Sequence, residues 1–183
     1  MRIIGGKNQR KQIVAPAKLT VRPTTDMAKE SLFNILNNHY DFEDIAVLDL
    51  FAGTGNISYE FASRGATAII SIDNNPHCIQ FIKDTAVKLK MDNLKVVRAD
   101  AFSFLSSGKL KFDVIFADPP YDLERLAEIP DCVFKAGILN TGGMLIVEHG
   151  KRNKFAAHPN YFESRNYGKV YFSFFRNLSE SEE

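Results

Sequence analysis

The chain contains no tryptophan and only two cysteines, Cys78 and Cys132, among its 183 residues. The two are far apart in sequence and lack C-x-x-C spacing, so neither a disulfide framework nor a zinc site is supported, and no metal is expected. No apolar run approaches the roughly eighteen residues of a membrane span, and the opening MRIIGGKNQRK lacks the apolar stretch of a signal peptide. The expected location is the cytoplasm, with no membrane partner. An excess of charge is missing too: 23 Lys and Arg against 22 Asp and Glu leave a formal net charge of +1, which points to no partner class. The distribution is more informative, because Arg2, Lys7, Arg10, Lys11, Lys18 and Arg22 all precede the first acid, Asp26. Residues 1–22 are therefore expected to be a basic N-terminal arm, able to bend at Gly5 and Gly6, against the plainer reading of a solvated terminus. The closing LSESEE, residues 178–183, reads as an acidic tail.

What is present is alternation, in a chain 45% hydrophobic and long enough for one globular domain over residues 1–183. Residues 46–50 form a largely apolar strand run, and Gly53-Thr54-Gly55 then opens a helix that stops at Gly65. Residues 68–72 are strand-like and end in Asp73. Pro76 suits the first turn of a helix, and Ile79, Ile82, Ala86 and Leu89 recur at the spacing of one buried face. Runs at 94–97 and 112–117 lead to Asp100 and Asp118, and 144–147 follows a turn at Thr141-Gly142-Gly143. This pattern predicts an α/β fold with a doubly wound, mostly parallel, Rossmann-like sheet. Residues 161–165 and 170–176, joined through Asn166-Tyr167-Gly168, are expected to close one edge as an antiparallel hairpin, with Val170, Phe172 and Phe174 on its core face.

Ligands of such sheets bind beyond the carboxyl ends of the strands. Four acids fall there: Asp49, Asp73, Asp100 and Asp118. The glycine loop from Phe51 to Gly55, with Asp73 about twenty residues on, could serve a nicotinamide nucleotide. The third glycine of that fingerprint is Ser58, however, and Asp49 would stand close to a pyrophosphate. A cationic ligand with ammonium, ribose and adenine suits the carboxylates better, and S-adenosyl-L-methionine fits that description. The stretch FADPPYD, residues 116–122, ends a buried strand on an acid and two prolines. Pro119 and Pro120 lack amide donors and cannot extend the ladder, which leaves the carbonyls of the turn to face outward.

DLFAGTGN at residues 49–56, followed by Asp73, Asp100 and DPPY at 118–121, resembles class I S-adenosylmethionine-dependent methyltransferases that act on exocyclic amino groups. RIIGGKNQRK at 2–11, RPTTDMAKESLFNIL at 22–36 and VEH at 147–149 narrow the resemblance to the bacterial 16S rRNA (guanine-N2)-methyltransferase family. Met27 and Lys29 stand where that family carries arginines, and Asn8-Gln9 replaces a tryptophan-arginine pair. The resemblance implies methyl transfer to N2 of a guanine in 16S rRNA, of the guanine-966 type. It gives the methionine end of the cofactor to Asp49, Phe51, Ala52, Gly53, Thr54 and Gly55, with Thr24 and Thr25 at its carboxylate. The ribose goes to Asp73 and Asn74, and the adenine amine to Asp100 and Ala101. Asp118, Pro119, Pro120 and Tyr121 are implied as catalytic: Asp118 and the Pro119 carbonyl would accept the amino hydrogens, Pro120 would stiffen the turn, and Tyr121 would stack on the extruded base. Arg2, Lys7, Arg10, Lys11 and Arg22 are implied to bind RNA. The partner is 16S rRNA or the small subunit, with the protein a monomer.

The plainer readings are specific. DPPY alone can be a strand end with a turn, Asp73 and Asp100 can be helix N-caps, and His149 reads as a structural histidine. Two other functions use the same residues: an N6-adenine DNA methyltransferase, and a noncatalytic RNA-binding protein with a relict cofactor fold.

Overall fold

A computed structural model describes residues 1–19 and 24–178. In chain order the elements are helix α1 (Asp26–Asn37), strand β1 (Ala46–Asp49), α2 (Asn56–Ser63), β2 (Ala68–Asp73), α3 (Pro76–Lys88), β3 (Leu94–Arg98), α4 (Ala101–Ser107), β4 (Phe112–Ala117), α5 (Ile129–Ala136), β5 (Leu139–His149), β6 (Tyr161–Tyr167) and β7 (Val170–Arg176). Among the described residues one sheet runs in the order β3-β2-β1-β4-β5-β7-β6. The first five strands pair in parallel, and β7 and β6 add antiparallel at one edge, as the alternation predicts.

Both faces of the central strands are covered, and the pleat divides their side chains between two cores. Val47, Val114 and Phe116 pack with Leu32, Phe33, Phe61 and Ile82 from α1, α2 and α3. Leu48, Ile115 and Ala117 point the other way, toward Leu105 of α4 and Val133 of α5. That is why β1 and β4 read as unbroken apolar runs. Strand order reverses between β1, which leads outward to β2 and β3, and its other neighbour β4. A crevice opens at such a switch point.

Two details differ from the sequence reading. β5 does not start after Thr141-Gly142-Gly143 but runs through it, with an irregular register against β4 between Phe112 and Val114. The irregularity is held by backbone bonds from Gly142 to Asn177 and from Asn177 to Gly143, with Gly142 at φ +77°. In the edge hairpin the strands continue through Tyr167, so the turn falls at Gly168 and Lys169.

The N-terminal segment is not a free arm. Arg2 bridges Gln12, and Ile3 and Ile13 are buried in the core. The amides of Ile4 and Gly5 donate to the carboxylate of Glu60, while that of Lys7 donates to the Ser63 carbonyl. Gly6 is no hinge: at φ +75° it presses on α2 so closely that a Cβ would lie 1.9 Å from the Ser63 carbonyl oxygen. Beneath the segment, fully buried Lys29 sits 3.4 Å from Glu60, donates to Asn56 and the Arg2 carbonyl, and has its pKa lowered, chiefly by burial. Arg22 and all but the first residue of the acidic tail lie outside the described residues.

Candidate active site

The crevice is a cavity of about 740 Å³, within the range of small-molecule sites. Its floor is the turn after β1. Leu50 and Ala52 continue the ladder to the Phe116 and Ile72 carbonyls, and the chain then reverses through Gly53 at φ +54° and Gly55 at φ +84°. At Gly55 a Cβ would meet the Tyr59 ring at 2.7 Å, so the turn into α2 requires glycine. Asp73, at the end of β2, ties this loop down: its two oxygens accept from the amides of Gly53 and Asn75, each at 2.8 Å.

Asp49 is 1% exposed, and its carboxylate accepts from Ser58 at 2.6 Å, with Ser71 behind. Burial pushes its pKa up to about 7; the Ser58 bond opposes this and the charge of Asp73 adds to it. Ser58, which breaks the nucleotide fingerprint, is thus a partner of the buried acid. Asp100 caps α4 through the Ser103 amide, so its N-cap reading holds as a structural fact while the residue also lines the cavity. Asp73 caps no helix; Asn75 does that for α3.

The opposite wall is Asp118-Pro119-Pro120-Tyr121, at the end of β4. The Tyr121 hydroxyl donates to Glu148 Oε1 at 2.9 Å, and the Thr24 hydroxyl donates to Glu148 Oε2 at 2.7 Å. Glu148, 4% exposed near the end of β5, therefore joins the segment before α1 to the proline turn. Sequence reasoning missed it as a site residue. Its signal was an acid following the apolar run 144–147, on the same rim as the four aspartates. Also unpredicted is Arg125, which lines the cavity with its guanidinium 4.0 Å from the Phe102 ring centre.

Thr24, Asp49, Phe51, Ala52, Gly53, Thr54, Asp73, Asn74, Asp100, Ala101, Asp118, Pro119, Pro120 and Tyr121 all line this one cavity. Two predicted cofactor residues do not. Thr25 is exposed and caps α1 through the Ala28 amide, and Gly55 makes the turn beneath the loop. Arg2, Lys7, Arg10 and Lys11 lie outside the cavity wall, on the docked N-terminal segment.

The comparisons with known proteins bear directly on this arrangement. The family described as conserved hypothetical protein 95 matches residues 1–176. The chain belongs to this family. It is 31% identical over 159 residues to ribosomal RNA small subunit methyltransferase D of Escherichia coli, covering 87% of this chain and 79% of that one. The protein of the same name from Buchnera aphidicola of Baizongia pistaciae is 28% identical over 183 residues, 98% of this chain and 93% of that one. Among solved structures, a protein of Thermus thermophilus described as hypothetical superposes with a TM-score of 0.85 at 27% identity, over 96% of this chain and 99% of its own. The family resemblance drawn from the motifs agrees with these findings.

In this member of the family, two of the residues that depart from the family pattern have structural work. Lys29 is the buried partner of Glu60, and Asn8 is 3% exposed, its backbone N–H donating to the Ser63 hydroxyl. His149 is a satisfied core residue: Nδ1 donates to the Gly150 carbonyl and Nε2 accepts from Ser173, both at 2.8 Å. Burial lowers its pKa, so the ring is neutral. Cys78 is buried at the cavity edge, with its thiol pushed up to about 11, which keeps it protonated and unreactive at neutral pH.

Proposed function

We propose that this chain, as one domain over residues 1–183, transfers a methyl group from S-adenosyl-L-methionine to N2 of a guanine, of the position-966 type, in the 16S rRNA of the small subunit. One observation carries the reading: the glycine loop, the acids at the ends of β1, β2 and β3, and the DPPY turn converge on a single cavity. The name of the E. coli relative, ribosomal RNA small subunit methyltransferase D, supports the RNA class.

The residues fit the cofactor. Asp49 offers a buried carboxylate to an ammonium group, the loop's backbone approaches without a Cβ at Gly53, and Asp73 and Asp100 supply acceptors for ribose hydroxyls and an adenine amine. When bound, S-adenosyl-L-methionine supplies an electrophilic methyl carbon on a sulfonium, which leaves with the carbon–sulfur electron pair. A guanine amino group is a poor nucleophile because its lone pair is delocalised into the ring. Asp118 and the Pro119 carbonyl accept its two hydrogens, which bends the nitrogen toward tetrahedral geometry and aims the lone pair. Positioning provides most of the remaining acceleration. The proton lost by the product nitrogen leaves through the Asp118 carboxylate to solvent. Tyr121, its hydroxyl anchored on Glu148, presents a ring for stacking. Arg2, Lys7, Arg10, Lys11 and Arg22 contact phosphates.

Methyl transfer from labelled cofactor, tested on 16S rRNA, small subunits and duplex DNA, examines this reading. Label in the ribosomal substrates alone supports it. Label in DNA favours the adenine enzyme, and cofactor binding without transfer to any of them favours the relict fold.

A further inference from the structure

Beyond the last parallel strand, residues 150–154 read Gly-Lys-Arg-Asn-Lys. This loop leaves the same rim as the DPPY turn and touches it: a Cβ on Gly150 would sit 3.2 Å from Cδ2 of Tyr121. Both ends are pinned. The Gly150 carbonyl accepts from His149 and from the Asn153 amide, while buried Phe155 packs edge-on against His149 at 5.0 Å and against Phe175 at 5.5 Å. Lys151, Arg152 and Lys154 are exposed and form no salt bridge among the described residues. Three cations in four positions, on a loop held at both ends, are a surface for closely spaced anions.

Lys7, in the N-terminal segment, is placed differently. Lys7 binds the Ser63 carbonyl at the far end of α2, whereas Asn56, the first residue of that helix, lines the cavity. Eight residues at about 1.5 Å each put Lys7 roughly 12 Å down the helix from the rim. Its side chain reaches the Lys90 carbonyl, Lys11 donates to Asn8, and Arg2 pairs with Asp26. The loop at 150–154, against the Tyr121 ring, is closer to the cavity than Lys7 is.

We propose that the loop at 150–154 binds the phosphate backbone of the RNA strand immediately beside the target nucleotide, with Lys151, Arg152 and Lys154 as the contacts. This rests on the reading of the cavity as an rRNA methyltransferase site. Phosphate contacts fix register without reading sequence, so the loop orients the strand while the cavity selects the base.

The test compares the parent with Lys151→Gln/Arg152→Gln/Lys154→Gln, using an rRNA fragment that the parent methylates. Cofactor affinity, which reports the fold, should be unchanged. At about 0.7 per contact on a single strand, the slope of log affinity against log salt should become shallower by about 2. KM for RNA should rise while kcat at saturating RNA stays within about twofold. Arg152→Gln alone should change the slope by about 0.7, which keeps the test available if the triple variant misfolds. An active parent with slopes and KM identical to those of the variants overturns this inference alone. A parent that methylates no rRNA overturns the underlying reading and this inference with it.

Discussion

Asp49 combines full burial with a pKa near 7, so cofactor affinity should depend on pH close to neutrality. Burial raises the pKa because the ionised form loses its hydration, and the hydrogen bonds from Ser58 work against this. A ligand ammonium group needs the ionised form and stabilises it, so binding should release a proton from Asp49 on the acid side of neutrality. If the protonated form does not bind, affinity scales with the ionised fraction, which is roughly 0.1 at pH 6 and 0.75 at pH 7.5. S-adenosyl-L-methionine should therefore bind about eightfold more weakly at pH 6 than at pH 7.5. Asp49→Asn keeps the shape and the acceptor for Ser58 while removing the charge. Affinity should fall by about 1.5–3 kcal/mol, the range for hydrogen bonds to charged groups, and the pH dependence should vanish. Calorimetry from about pH 5.5 to 7.5, in two buffers of different ionisation heat, measures affinity and proton release together. A flat profile in the parent, or an unchanged slope in Asp49→Asn, would refute the assignment of the ammonium site to Asp49.

Asp118→Ala should cut turnover by about two to three orders of magnitude, by analogy with loss of one preorganised hydrogen-bonding group, while RNA affinity is nearly retained; single-turnover assays and filter binding check this. Asp73→Ala should weaken cofactor binding by about 1.5–3 kcal/mol in calorimetry, and the same change releases the Gly53 amide from its anchor. Glu148→Ala leaves the Tyr121 and Thr24 hydroxyls without their carboxylate and should cost about 1–3 kcal/mol of stability, read by denaturant unfolding. Replacing Arg2, Lys7, Arg10 and Lys11 by glutamine should make the salt slope for RNA shallower by about 3 with cofactor affinity intact, because backbone amides on Glu60 and Ser63 keep the segment docked when the contacts of these side chains are lost.

The sheet was legible because its central strands are covered on both faces, which leaves apolar runs that end in acids at the rim. The glycine turn at Gly53 and Gly55 was legible for a similar reason, since a tight turn has few residue choices, whereas the anchoring of that turn by Asp73 was not read from the sequence. α1 was less so: its buried stripe of Ala28, Leu32, Phe33 and Leu36 is periodic, but Lys29 is buried in the same helix. A lysine reads as surface until Glu60, thirty-one positions away, is seen beside it. The docked N-terminus was hidden in the same way, because beside buried Ile3 and Ile13 it is held by backbone amides on Glu60 and Ser63, which leave no side-chain pattern. Gly5 and Gly6 looked like hinges and are points of close approach. Glu148 drew no attention because its partners, Thr24 and Tyr121, come from two distant segments that only the fold brings together.

Mapping the modified nucleotide tests the central claim most directly. Small-subunit rRNA lacking the modification is incubated with the protein and isotope-labelled cofactor, digested, and read by mass spectrometry and primer extension. Label is expected on N2 of a single guanine in 16S rRNA, and is expected to be lost in Asp118→Ala. Label on an adenine, label scattered over many positions, or equal transfer by Asp118→Ala would contradict it.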